Sequence, residues 1–550
     1  MSAWLQAAAV LAVLAAVHVP LGNYLARVFT SPRHLRAESA LYRVMRVDPD
    51  ADQRWTTYAG CVLAFSAVSI LFLYALLRLQ AHLPLALERP AMPAAQAFNT
   101  AVSFVSNTSW QSYAGESTLG HLAQMLGIAV HSFLSGAVGL AVALTLVRGL
   151  VRTRTDRVGN FWSDLVRTTV RVLLPLCAVF ALVLLAGGVI QNLHDFRVVG
   201  TAAGGIQPIP GGPVASQEAV KLMSGDGGGF FNANSAHPFE NPNAVTNVVE
   251  IVLMLLIPSA VPRMYGRMAR DTRQGWLLLG VMAVLFTAAL GVLSVSEAAH
   301  PGTVPQAIGT SMEGKEARFG PAGTALFANG STASADGAVD GSHDSLTVYG
   351  GGMALVNILL GEVSPGGVGS GLYGILSLAL VAVFLGGLMI GRTPEYLGKR
   401  IGAAQIRLVA LITLATPLTV LVGTGLALGL KTPPTSFLNS GAHGLSEGFY
   451  AFASAANTNG SAFAGLNANT DFYNIGLALA MLVGRYLTIV LVIALAGSLA
   501  GQRAVPTIRG TLATHTPTFA VLVIGVAILV GALTYLPTLA LGPLADGLAR

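Results

Sequence analysis

Ten stretches of this chain are long and apolar enough to cross a bilayer, and they constrain its fold more than any other feature. They run roughly over 4–26, 57–79, 121–147, 168–190, 245–262, 276–297, 370–390, 405–430, 473–499 and 515–540. A helix needs about 20 apolar residues to span ~30 Å of hydrocarbon. Only 10% of the residues are charged, against about 25% in soluble domains. Most of the chain must therefore face lipid or other membrane helices, and the expected class is an all-α polytopic membrane protein.

The basic residues give the orientation. Of 31 lysines and arginines, 22 fall in every second connection: 27–54, 148–171, 263–273, 392–407 and 503–509. Positive residues stay cytoplasmic, so both termini are expected outside. The net charge of +6 then belongs to cytoplasmic loops facing anionic lipid or partner proteins, and no nucleic acid is expected as a partner. The stretch 1–19 has no basic segment before it and arginines after it, which reads as a retained helix rather than a cleaved signal. Cys61 and Cys177 lie within spans, so no disulfide framework is expected.

Four short motifs recur on the outer side: Ser106-Asn107-Thr108, Gly225-Asp226-Gly227, Ala335-Asp336-Gly337 and Thr458-Asn459-Gly460. Their central residues are separated by 119, 110 and 123 positions, and a unit repeated at fixed spacing is expected to set equivalent elements around one axis. Each motif follows a segment too short to cross the membrane, near 93–105, 213–224, 322–334 and 445–457, and precedes a long span. Re-entrant half-helices are the economical reading, because irregular backbone at membrane depth survives only when buried or lining water. A single Asn-Gly or Asp-Gly pair marks an ordinary turn. Four in register suggest a filter, since Gly, Asn and Asp tolerate the unusual backbone angles of such a loop. Carbonyl oxygens from four loops would replace the water shell of a dehydrated cation, as in potassium filters, and the negative ends of the half-helices would face it.

The expected architecture is ten transmembrane helices, with four membrane–pore–membrane repeats around a central pore and one extra helix at each end. The divisions are 1–56 (first helix and cytoplasmic loop), 57–157, 158–273, 274–400 and 401–509 (repeats), and 510–550 (last helix).

Longer strings carry a resemblance. Gly227 to Ser235 (GGGFFNANS) with His237 to Pro242, Asn99 to Tyr113, Met312 to Phe319, Gly366 to Gly374, Gly391 to Arg400 and Asn459 to Gly465 are similar to signatures of the potassium-binding, channel-like subunit of Kdp-type ATP-driven potassium pumps, the KdpA family. The resemblance covers essentially the whole chain. It implies the superfamily of potassium transporters, potassium as the bound ion, and a complex with a P-type ATPase subunit and two small membrane subunits in a bacterial inner membrane. Against the family pattern, Gly225-Asp226-Gly227 stands where Thr-Asn-Gly is common, and Ala335-Asp336 where a Ser/Thr/Cys/Asn-type pair is. Two carboxylates there would strengthen cation attraction and put size discrimination in question.

Other residues divide between structural and functional roles. Arg485 lies mid-span, where a charge costs at least ~2.5 kcal/mol unless paired or wet. It is either a helix-to-helix partner, with Glu250 a candidate, or a positive barrier to cation leakage. Gly386, Gly387, Gly391 and Arg392 read either as a helix end or as a broken helix placing a gate under the filter, and the resemblance favours the gate. The chain has no P-loop and no Asp-Lys-Thr-Gly string, so no nucleotide site or catalytic site is expected in it. The leading reading is selection of extracellular potassium and delivery to the ATPase partner. A stand-alone channel or ion-coupled symporter is the alternative, and a lipid-modifying enzyme would need a polar cluster that the sequence does not offer.

Overall fold

The structure, a computed structural model, describes residues 3–299, 311–389, 391, 393–505 and 512–549. Ten of its helices are long and apolar enough to cross a membrane: Leu5–Thr30, Trp55–His82, Ala123–Val151, Phe161–Ala186, Ala244–Met268, Thr272–Ala298, Ser370–Met389, Ala403–Gly429, Asp471–Ala500 and Pro517–Leu548. Each coincides with an expected span, with ends displaced by up to eight residues.

Burial sorts the spans into two kinds. In the third and fifth, 83% of the most apolar stretch is buried, and in the seventh and ninth 61% and 50%, against 22–33% in the other six. The four buried spans are those that come next after the four short helices, Ala94–Val105, Val214–Ser224, Gly320–Ser334 and Gly441–Asn457. Those helices sit where the sequence suggested half-helices. Lipid gives no hydrophobic drive for helices to associate, so inner helices rely on small residues that let backbones approach. Gly149 on the third span, for example, would place a Cβ 2.6 Å from Ala496 Cα on the ninth. The first span packs along the fifth, where a Cβ at Gly22 would sit 2.6 Å from the Ala260 carbonyl oxygen.

Of the two readings of the glycines at 386–391, the structure has the helix end and not the broken helix. The seventh span runs unbroken through Gly386 and Gly387 to Met389, so those glycines do not interrupt it. Gly391 follows at φ +65°, and Arg392 lies outside the described residues. The real interruption comes earlier, between a short apolar helix, Val348–Leu359, and Ser370–Met389. There Gly361, Gly366 and Gly369 take φ of +80°, +83° and +91°, angles that glycine alone adopts without strain, and Pro365 denies the helix a donor.

On the face where the basic connections lie, the strand Gln53–Arg54 pairs antiparallel with Arg157–Gly159. Beside it, Arg148 meets Asp164 through two bonds, Nη1–Oδ2 at 2.5 Å and Nη2–Oδ1 at 2.7 Å. Tyr58 donates to the same carboxylate at 3.0 Å. Removing one partner of a buried ion pair strands the other charge at a cost of about 3–5 kcal/mol. Asp164→Ala should therefore lower the melting temperature of the purified protein markedly. The exposed Arg54–Asp156 pair, 66% and 55% accessible, is worth under about 1 kcal/mol, so Asp156→Ala should melt near the parent. Equal melting shifts in the two variants would contradict this assignment.

Candidate ion site

Each short helix stops in the same way. The N–H of Thr108 donates to Ser103 O at 2.9 Å, Asp226 to Lys221 O at 3.1 Å, Asp336 to Ser331 O at 3.2 Å and Asn459 to Ser454 O at 2.9 Å. These are i→i−5 bonds of the kind that close a helix when the preceding residue is left-handed. That residue is Asn107 (φ +62°), Gly225 (+63°), Ala335 (+57°) or Thr458 (+64°). Two positions further on, φ is positive again, at Ser109 (+58°), Gly227 (+70°), Gly337 (+88°) and Gly460 (+100°).

This pattern corrects the register of the first motif by one residue. Thr108, not Asn107, is the counterpart of Asp226, Asp336 and Asn459, and Ser109 joins the set while Ser106 leaves it. Ser106 instead ties the loop locally, donating to Ser103 O at 3.1 Å with Thr108 Oγ1 2.7 Å from its Oγ. Composition misled here, because Asn is the commoner turn residue and a serine at positive φ carries no sequence signal.

The four loops touch in a closed ring. A Cβ placed on Gly227 would lie 1.8 Å from the Asp336 carbonyl oxygen; one on Gly337, 2.0 Å from that of Asn459; and one on Gly460, 1.9 Å from that of Thr108. The fourth junction is made by Asn107, whose Nδ2 donates to the Gly225 carbonyl while its Oδ1 accepts from Ser135 at 2.8 Å. Asn459 Nδ2 adds a bond to Ser331 O at 3.1 Å, bracing the fourth loop on the third helix. All twelve residues from the four counterpart triplets are buried except Gly460, which is half-buried.

The comparisons bear on this geometry. Residues 8–548 match the family model described as "Potassium-transporting ATPase A subunit", KdpA. The chain belongs to that family. A "Potassium-transporting ATPase potassium-binding subunit" of Kineococcus radiotolerans is 59% identical over 544 residues, covering 99% of this chain and 98% of the relative. The protein of the same name from Clavibacter michiganensis is 55% identical over 550 residues, covering 99% of both. Among solved structures, the potassium transporter TrkH from Vibrio parahaemolyticus aligns with TM-score 0.53 over 92% of this chain and 98% of its own, at 16% identity, a likeness of fold.

Charge gathers around the ring of this KdpA-family chain. Asp226 and Asp336 are wholly buried. Asp336 Oδ1 accepts from Ala338 N at 3.2 Å, whereas Asp226 faces the Ser109 and Ser132 hydroxyls without close hydrogen-bond geometry. Arg485 sits in a single π-helical turn of the ninth span, Val483–Leu487, a local widening often found at functional positions. Its Nη2 donates to Ser135 O at 3.4 Å, and its charge faces Asp226 and Glu362. Glu250, weighed as its partner, lies instead near Glu218 and Lys221.

Glu362, Tyr373, Thr458, Arg485 and Thr488 line a cavity of about 140 Å³ bordering the ring. Glu362 enters through the break at 360–369, which also seats Val368 against Gly225 and Gly367 against Ala335. Gly386, Gly387 and Gly391 are not among its lining residues. The sequence signal was present in Gly361-Glu362 and Pro365-Gly366-Gly367, but the run at 386–394 looked more like a break.

The GGGFFNANS string braces the second loop from behind. Lys221 Nζ reaches Glu218 at 2.8 Å, Glu240 at 3.2 Å, Asn234 Oδ1 at 2.7 Å and Ser235 Oγ at 2.9 Å. Asn234 Nδ2 in turn donates to Gly227 O at 2.7 Å. Lys221 is 1% exposed.

The ring contacts leave no room for a side chain and the backbone there is left-handed. Gly227→Ala and Gly460→Ala should each destabilise the protein by at least about 2 kcal/mol, from overpacking combined with an unfavourable φ. Gly425→Ala, on a helix with open space around it, should be neutral or stabilising. Thermal unfolding of the three variants decides, and unaltered melting in both ring variants would refute the close contacts.

Proposed function

We propose that this chain captures potassium in the ring of four loops and passes it to an ATP-hydrolysing partner subunit. Membership of the KdpA family supports a role in potassium transport as the non-catalytic subunit of a transporting ATPase. The observation that carries the finer reading is the closed ring, in which four helix ends and their loops meet at buried, glycine-dependent contacts. Backbone oxygens in such a ring can replace an ion's hydration shell. The C-terminal ends of the four short helices add their negative dipole ends, and the carboxylates of Asp226 and Asp336 add charge.

On this reading the units 57–157, 158–273, 274–400 and 401–509 are four repeats around one pore, flanked by the first and last helices. The membrane is the bacterial inner membrane with both termini outside, and the partners are a P-type ATPase subunit and two small membrane subunits. Arg485 is the barrier: a fixed positive charge beside the cavity that borders the ring opposes free passage of a second cation. The cavity, with Glu362 at its edge, is the first stage of the route onward. ATP hydrolysis belongs to the partner.

The test is potassium-stimulated ATP hydrolysis by the co-purified complex. Gly227→Ala and Gly460→Ala should raise the potassium concentration for half-activation at least tenfold or erode discrimination against rubidium, in whatever fraction assembles. Unchanged affinity and selectivity in assembled complexes would refute a shared filter. Robust potassium conductance from the isolated chain in liposomes without ATP would favour a channel or symporter instead.

Arg485→Gln separates barrier from strut. As a barrier its loss opens an ATP-independent leak, or uncouples hydrolysis from transport, with little change in melting. As a strut its loss lowers melting and assembly without a leak. A stable, tightly coupled, leak-free variant would sink the barrier role.

A further inference from the structure

Outside the ring, one cluster combines metal-ligating chemistry with convergence from separate elements. Asp344 lies in the 3₁₀ turn His343–Ser345, a few residues beyond the third loop of the ring. His443 and Glu447 are one turn apart near the start of the short helix Gly441–Asn457. Asp546 comes from the end of the chain, in the helical segment Ala545–Ala549. One ligand atom from each of Asp344, His443 and Glu447 falls within 4.8 Å of the others. We propose that these three side chains bind one divalent cation of the zinc class, with Asp546 orienting the imidazole.

The donor set fits. Zinc takes imidazole nitrogen and carboxylate oxygen at roughly 2.0–2.2 Å, so two ligand atoms on one ion lie about 3.4 Å apart. His443 Nε2 is 3.0 Å from Asp344 Oδ1, and sub-ångström adjustments admit an ion between them. The other ring nitrogen, Nδ1, is 3.1 Å from Asp546 Oδ2. A carboxylate on the far nitrogen of a ligating histidine fixes its tautomer and ring orientation and raises its basicity. Phe463 stacks on the imidazole at 5.9 Å and 11°, holding its plane.

Charge and space point the same way. Three carboxylates surround one imidazole, an excess of negative charge even when the imidazole is protonated. Glu447 accepts three bonds, two on Oε1 from Asn439 N and Nδ2 and one on Oε2 from Leu438 N, which leaves one of its roughly four acceptor positions, on Oε2. Gly465 packs against both ligating carboxylates. A Cβ there would lie 2.7 Å from Asp344 Oδ2 and 3.0 Å from Glu447 Oε1. Gly465 does not hold a positive φ, so its backbone angle does not call for glycine. The converging carboxylate oxygens do. A cation held here would clamp the end of the last helix to the fourth short helix.

The experiment uses the full chain purified in detergent without a polyhistidine tag, with Zn²⁺ alone as probe and Mn²⁺ as the weaker comparator expected from the usual affinity order. Equilibrium dialysis with elemental analysis should find one equivalent of Zn²⁺, and Zn²⁺ should raise the melting temperature. Asp344→Asn and His443→Gln should each weaken uptake at least tenfold, and Asp546→Asn by roughly 10–100-fold, the usual effect of losing such an orienting partner. No stoichiometric uptake by the parent protein overturns the proposal, as does full uptake in both Asp344→Asn and His443→Gln. Should either variant fail to fold, Gly465→Ala is read in its place, since it removes no ligand but pushes on both ligating carboxylates. Zn²⁺ uptake at parental affinity in that variant overturns the proposal, and a loss of at least tenfold supports it.

Discussion

Everything near the centre of this molecule depends on backbone packed directly against backbone, at glycines of one loop pressed onto carbonyls of the next. Gly227, Gly337 and Gly460 each stand where a methyl group would fall within about 2 Å of a neighbouring oxygen. Contacts that close cannot be adjusted by rotating a side chain, so they fix the relative positions of whole loops. The loops in turn hang from the four short helices, whose ends are locked by left-handed residues and i→i−5 bonds. Those helices are held by the long spans around them, Ala94–Val105 chiefly by the second and ninth and Gly320–Ser334 by the fifth and sixth. Rigidity at the ring is thus inherited outward through the fold.

Burial of charge is the second organising fact. At membrane depth an ionisable group is tolerated when it is paired, faces a cavity or serves a function, and this chain shows each case. Lys221 is enclosed by two carboxylates and two polar side chains, and through Asn234 it sets the Gly227 carbonyl. Arg485 and Glu362 share a cavity wall. Asp226 is enclosed with little hydrogen bonding to its carboxylate, an arrangement that favours a nearby cation over an isolated negative charge.

Two misreadings of the sequence share a cause. In the first loop, sequence preference favours Asn107 as the centre because Asn suits a turn. The structure uses it as a brace between Ser135 and Gly225 and puts Thr108 and Ser109 in the ring positions. In the third unit, the cluster Gly386-Gly387 with Gly391 resembled a helix break, yet the helix passes through the pair, and the break falls at 360–369 beside the ring. Local residue preference says what a position tolerates. It does not say which of two tolerant positions the surrounding packing will use.

The sequence by itself determined the ten spans, the four short helices and the family, because these rest on long apolar runs and on strings extended enough to be distinctive. A membrane leaves few alternatives for a run of 20 apolar residues, so every span was legible, though its ends were not. Tertiary structure alone decided the register of the first loop, the site of the helix break, the burial of Lys221 and the meeting of Asp344, His443 and Asp546. The His443 cluster joins positions about a hundred residues apart, and the first loop hinges on a one-residue shift in backbone conformation. Lys221 is enclosed by neighbours in the chain that only the fold of the second loop brings round it. Such contacts are fixed by which surfaces meet once the helices have packed, and local pattern does not choose among the positions that would tolerate them.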